Sequence, residues 1–181
     1  REPAEFGRAS DRVFRSLHSI RDELTWLDVE GPTSRELIAY ITSHAGEFDF
    51  FIFFSCRYYH AYHGVRAAAP KALLVPTAER DGAVGLSVFG PIFRGVRALM
   101  YNSFEERAMI QAASGNDAVP HVVVGVGSDV PAQTDPGRFR RKYGIEGPFV
   151  VYVGRIDENK GCKELFSHFE RYSRAVQGGL S

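Results

Sequence analysis

Cysteine is scarce in this 181-residue chain: Cys56 and Cys162 stand far apart, in no metal-ligand or redox spacing. A disulfide scaffold is therefore excluded, and both residues read as buried thiols of a reducing compartment. Net charge is missing too, because 22 Lys and Arg balance 22 Asp and Glu. With no overall field pulling the chain toward nucleic acid or anionic lipid, no nucleic-acid partner is expected. Long apolar runs are also absent. FDFFIFF and HVVVGVG fall far short of the roughly 20 residues that cross a bilayer, and no secretory segment opens the chain. The expected location is cytoplasmic. The first residue is Arg1 rather than Met, in charged sequence that reads as mid-protein, so a fragment is expected.

What is present suits a packed core: 44% hydrophobic and 13% aromatic residues, enough for one domain or one plus part of another. Val13, Leu17, Ile20 and Leu24 keep helical spacing across the first 30 residues. In EGPTSRELIAYITSHAGEF, Thr33 and Glu36 form a capping-box pattern, and Leu37, Ile38 and Ile41 make a stripe for a helix ending near Gly46. Apolar runs and helical patterns then alternate. FDFFIFFS (48–55), KALLVPT (71–77), GVRALMY (95–101) and HVVVGVG (121–127) read as strands. Between them lie a helical piece at 57–68, a short helix or turn in SVFGPIF, and a helix opened by Ser103 with Glu106. Doubly apolar strands alternating with helices predict an α/β, Rossmann-like parallel sheet with helices on both faces.

This first domain is expected over 1–130, followed by a linker over 131–148 rich in Pro, Gly and charge, with a short helix near 136–143. FVVYVG (149–154) then predicts a fifth strand. A helix from about Asn159 follows, with Cys162, Leu165, Phe166, Phe169 and Tyr172 on one face. One strand and one helix cannot bury both their faces, so 149–181 reads as the opening of a second domain.

Charge placement in FVVYVGRIDENKGCKELF singles out a site. Gly154-Arg155 ends the strand, and Lys160-Gly161 opens the helix. Cations are disfavoured at a helix start, where free N–H groups already carry positive charge, unless an anion lies between them. A forked guanidinium and a mobile ammonium over free amides suit a diphosphate. The alternative is surface pairing with Asp157 and Glu158, which is common and weak.

The segment GRIDENKGCKELF after an apolar strand resembles the G-R-(L/I)-x-x-x-K-G stretch of retaining glycosyltransferases of family 4, which share the two-domain GT-B fold. Further segments resemble that family in order: EGP (30–32), LLVPTA (73–78), YNSFEE (101–106) and VVVGVGSDVP (122–131). The resemblance implies transfer of a sugar from a nucleotide-diphosphate sugar to a sugar or glycolipid acceptor, with retention of configuration. Gly154, Arg155, Lys160 and Gly161 would then bind the donor, and Arg155 and Lys160 would serve catalysis by neutralising the leaving diphosphate. No cofactor or metal is required on this view, because two cations and a helix start replace one. Three departures stand out. The family's N-terminal glycine-rich loop and its downstream acidic pair are both missing, and Glu79 follows LLVPTA where many relatives carry His. The covered residues alone are therefore expected to be inactive.

On the acceptor side, Arg57, Tyr58, Glu79 and Gly127 are candidate cleft residues, with pure packing as the other reading of RYYHAYHG. His60 and His63 share a helix face but lack a third ligand nearby, so zinc is not expected. GVGSDV lacks the third glycine of a dinucleotide loop, and Ser103 lacks the G-x-S-x-G of a hydrolase. The basic run RFRRKYG (138–144) reads as a solvated helix, with contact to a membrane surface as the other reading. Strand 149–154, whose edge would otherwise be uncovered, is expected either to dock on the sheet of its own chain or to self-associate with another chain. Two rival functions remain: a sugar- or partner-binding module without catalysis, and another Rossmann-like nucleotide-sugar enzyme.

Overall fold

Short apolar runs become four parallel strands: β1 (Phe51–Phe54), β2 (Ala72–Val75), β3 (Ala98–Tyr101) and β4 (His121–Val123). The computed structural model describes residues 2–80, 82–156 and 160–176. The chain divides into two units, 1–127 and 128–181. All four strands belong to the first, in spatial order β1-β2-β3-β4, with Phe53 opposite Leu74 and Leu74 opposite Leu99. The architecture is α/β and compatible with a Rossmann-like arrangement.

Helices α1 (Pro3–Arg15) and α2 (Ile20–Glu30) precede the sheet. The apolar spacing over 1–30 predicts continuous helix, but the chain breaks at Ser16–Ser19 and Leu17 is left 96% exposed. A local capping box explains the break. The Ser19 hydroxyl accepts from the Asp22 amide, and the Asp22 carboxylate accepts from the Ser19 amide, satisfying donors that a new helix start leaves open. The two helices close on Trp26, whose ring meets Phe6 and Phe14. Helix α3 (Arg35–His44) is capped by Ser34, whose hydroxyl accepts from Leu37 N, and not by Thr33, which donates to Asp28 O. Of its expected stripe, Ile41 is buried, Ile38 is half-buried and Leu37 is exposed.

Three crossover helices follow: α4 (Tyr59–Ala68), α5 (Phe89–Gly95) and α6 (Phe104–Ser114). Here the structure corrects the expectation of helices on both faces. Helix α4 packs on β1 and β2, α6 packs on β3, and α3, α4, α5 and α6 touch in sequence. They form one layer. The cause is topological: right-handed crossovers that always advance in the same direction put every helix on one side. That side carries Phe53, Leu74, Leu99 and Tyr101, all buried in the core. The opposite side carries Ile52 and Phe54, 54% and 57% exposed, and Val122 at 51%. On that second side the central strands are more protected, with Val75 buried and Leu73 and Met100 half-buried, so among the described residues the exposed apolar side chains of this side lie on the two edge strands.

The second unit contains α7 (Pro136–Tyr143) and α8 (Cys162–Ala175). Asp135 caps α7, and Gly144 ends it in the left-handed region. The predicted fifth strand is a second correction, since residues 149–154 carry no strand and lie outside the four-stranded sheet. Of the expected α8 stripe, Cys162 is buried, Leu165 and Phe169 are half-buried, and Phe166 and Tyr172 are exposed. Among the described residues no helix is long and apolar enough to cross a membrane.

Candidate functional site

In open parallel sheets, ligands collect beyond the carboxyl ends of the strands. At that end of the first unit, the residues that leave β1 and β2 are tied together. Cys56 N donates to Pro76 O at 2.9 Å, and the Thr77 hydroxyl donates to the Ser55 hydroxyl at 2.6 Å. Ser55 (φ +64°) and Thr77 (φ +46°) both adopt left-handed backbone, a conformation that costs L-residues roughly 1–2 kcal/mol. Strain of this kind clusters at functional sites.

One buried carboxylate holds the next two loops. Glu106 accepts from Ala78 N and from Asn102 N, each at 2.6 Å, so the chain leaving β2 is fixed beside the chain leaving β3. The capping-box expectation is therefore half met. Ser103 Oγ accepts from Glu106 N at 3.1 Å, while the Glu106 side chain serves the neighbouring loop.

The acceptor-side candidates all follow strands at this edge. Arg57 pairs with the buried Glu30 at 2.9 Å, and its guanidinium lies 5.4 Å from the Trp26 ring centre. Tyr58 stacks on His60 at 5.9 Å and precedes α4, which starts without a side-chain cap. Glu79 is exposed beyond β2, and Gly127 is exposed beyond β4. The structure thus brings Arg57, Tyr58, Glu79 and Gly127 to the same end of one sheet, with Arg57 already engaged by Glu30.

His60 and His63 are both half-buried. His63 packs between Tyr59 and Tyr62, with ring centres 4.2 and 4.9 Å away, and burial holds its pKa below the ordinary histidine value. Among the described residues, no three His, Cys, Asp or Glu side chains converge in a way that could hold a metal ion.

In the second unit, the donor-side candidates surround the start of α8. Arg155 O accepts from the Tyr152 hydroxyl at 2.7 Å and from Cys162 Sγ at 3.6 Å, which folds the chain after Gly154 back toward the helix. Lys160 has 3-10 helical geometry ahead of Gly161, and α8 begins at Cys162. Gly161 is the N-cap with φ +66°, and no side chain caps the helix. As a glycine it offers no side chain of the kind that Glu2, Ser19, Ser34 and Ser103 supply at α1, α2, α3 and α6. Arg155 and Lys160 are both exposed. Asp157 and Glu158, the alternative ion-pair partners, and Asn159 lie outside the described residues.

Ser55, Thr77 and Glu106 are not visible as site residues in the sequence. A left-handed Thr has no compositional signal, and Glu106 reads as an ordinary capping glutamate. No protein-family model, no curated protein and no solved structure matches the chain.

Proposed function

We propose that this chain belongs to a retaining glycosyltransferase of GT-B type that uses a nucleotide-diphosphate sugar, with Arg155 and Lys160 gripping the donor diphosphate. The observation that carries this reading is the start of α8, where a left-handed glycine, Gly161, serves as the N-cap beside two exposed cations, Arg155 and Lys160. Oriented amides and cations suit an anion there. Breaking the bond between the anomeric carbon and phosphate oxygen leaves negative charge on the departing diphosphate. Groups already aimed at that charge stabilise the transition state more than the ground state. The carboxyl edge of the sheet, with the Ser55 and Thr77 hydroxyls and Glu79, is the acceptor side of the same reading.

Calorimetric titration of the 181-residue chain with UDP, GDP and ADP tests the donor site. Diphosphate binding is expected, and Arg155→Ala and Lys160→Ala should each weaken it about 10- to 100-fold, the effect of losing a charge-assisted contact. No binding of any diphosphate, or binding untouched by both substitutions, overturns the reading. Sugar transfer by a protein that carries the complete enzyme should fall in the same two variants.

A further inference from the structure

We propose that residues 149–153 of a second copy of this chain add as a parallel strand to the free edge of β1. Neither the diphosphate site nor its chemistry enters this inference. The first observation is a mismatch between layers. Helix α3 packs beside α4 on the β1 side of the sheet, so the helix layer reaches one element further than the strands beneath it. Beside α3, along the β1 edge, runs a groove of about 420 Å³ lined by Leu37, Tyr40 and Ile41 of α3 and by the whole of β1, with Phe48 and His60.

Hydrogen-bond direction agrees. Phe51 N donates to Lys71 O, and Ser55 N donates to Val75 O, both at 3.0 Å toward β2. Alternation along a strand then turns the amides of Ile52 and Phe54 outward. Among the described residues no strand pairs with that edge. The edge reads Phe-Ile-Phe-Phe and has none of the devices that blunt natural edges, such as lysine, proline or a bulge.

The chain supplies a matching occupant. Residues 149–153 read Phe-Val-Val-Tyr-Val, rich in strand formers, and lie outside the sheet with Val150, Val151 and Val153 exposed. Neither the strand nor the groove lining contributes a carboxylate or an ammonium group, and His60 is the one imidazole in the lining. Gly147-Pro148 before the segment and Gly154 after it set its length close to that of β1. Two copies carrying both halves can exchange strands reciprocally and close as a dimer. A single short strand added by backbone pairing is weak, whereas two in one closed assembly reinforce each other.

Sedimentation of the full chain from about 1 to 100 µM, the range of ordinary protein association, tests this. The wild type is expected to dimerise. Val151→Lys places a charge in the added strand. Ile52→Pro removes an outward amide from the edge while leaving the bonds to β2 intact. Each variant alone should raise the dimer dissociation constant at least about 10-fold. An equimolar mixture restores one of the two pairings, an intact strand on an intact edge, so it should associate more tightly than either variant alone and less tightly than the wild type. A wild type that stays monomeric throughout overturns the proposal, as does a dimer that both substitutions leave unchanged. Circular dichroism of Val151→Lys, an exposed site, separates lost pairing from lost folding.

Discussion

Thr77 donates its hydroxyl to that of Ser55 across 2.6 Å, and both residues hold their backbones in the left-handed region. The pair joins the ends of two neighbouring strands at the cost of strain in each. For Ser55→Gly the terms nearly cancel. Strain release of roughly 1–2 kcal/mol is offset by about 0.5–1 kcal/mol of chain entropy and about 1 kcal/mol for the lost hydrogen bond. Stability should change by less than about 1 kcal/mol in urea denaturation. Ser55→Val keeps the strain, adds a β-branch and loses the hydroxyl, so it should cost about 2 kcal/mol or more. A loss in the glycine variant as large as in the valine variant would show that the hydroxyl contact, not the backbone, dominates.

Glu106 makes a sharper case because its two oxygens serve two different loops. In Glu106→Gln one oxygen can still accept, but the amide NH₂ then faces a backbone N–H, donor against donor. The side chain is buried, so the mismatch should cost about 1–3 kcal/mol. Faster hydrogen exchange should be confined to one of the two amides, Ala78 or Asn102. Equal protection of both amides in the variant would mean that the carboxylate is not what joins these loops.

The alternation of apolar runs with helical periods made the four strands and their parallel pairing legible, because doubly apolar strands have few other homes. Helix α7 was legible to the residue, since Pro136 and Gly144 punctuate both ends. Coverage of the sheet was not legible. Ile52 and Phe53 look equally apolar in sequence, and only the direction of the crossovers decides which one the helices bury. Residues 149–154 failed differently: their strand propensity is real, but a strand is defined by a partner, and propensity says nothing about whether one is present. At the candidate site, Arg155 and Lys160 stood out through charge placement. Ser55 and Thr77 are distinguished by backbone angle, which composition does not report.

Gly64 tests how tightly the single helix layer sits on the sheet. A Cβ built at Gly64 in α4 would lie 2.2 Å from Cε1 of Phe53, itself a buried core residue. Alanine in a helix interior ordinarily gains up to about 1 kcal/mol over glycine. Here the overlap forces the Phe53 ring or the helix to move, at about 1–3 kcal/mol, so Gly64→Ala should be a net destabilisation. Phe53→Leu in the same chain should recover part of the loss, giving a favourable coupling in a double-mutant cycle. Additive costs would indicate that the helix backbone, and not this ring, absorbs the added methyl.

His63 links the same helix to pH. Its ring is wedged between Tyr59 and Tyr62, and burial lowers its pKa from 6.5, with Arg66 acting in the same direction and Asp28 opposing. The folded chain therefore prefers the neutral ring. As pH falls below 6.5, the unfolded chain takes up a proton that the folded chain resists, so this contribution to stability is lost progressively down through the folded-state value. Above 6.5 it is present in full. His63→Phe keeps an aromatic ring between the tyrosines and removes the proton, so the slope of stability against pH should flatten between about pH 7 and 5. Asp28→Asn should act the other way: without the opposing carboxylate, the His63 midpoint followed by NMR should fall further and the slope should extend to lower pH. An Asp28→Asn variant in which that midpoint rises would mean that the Asp28 carboxylate does not oppose the effect of burial on this ring.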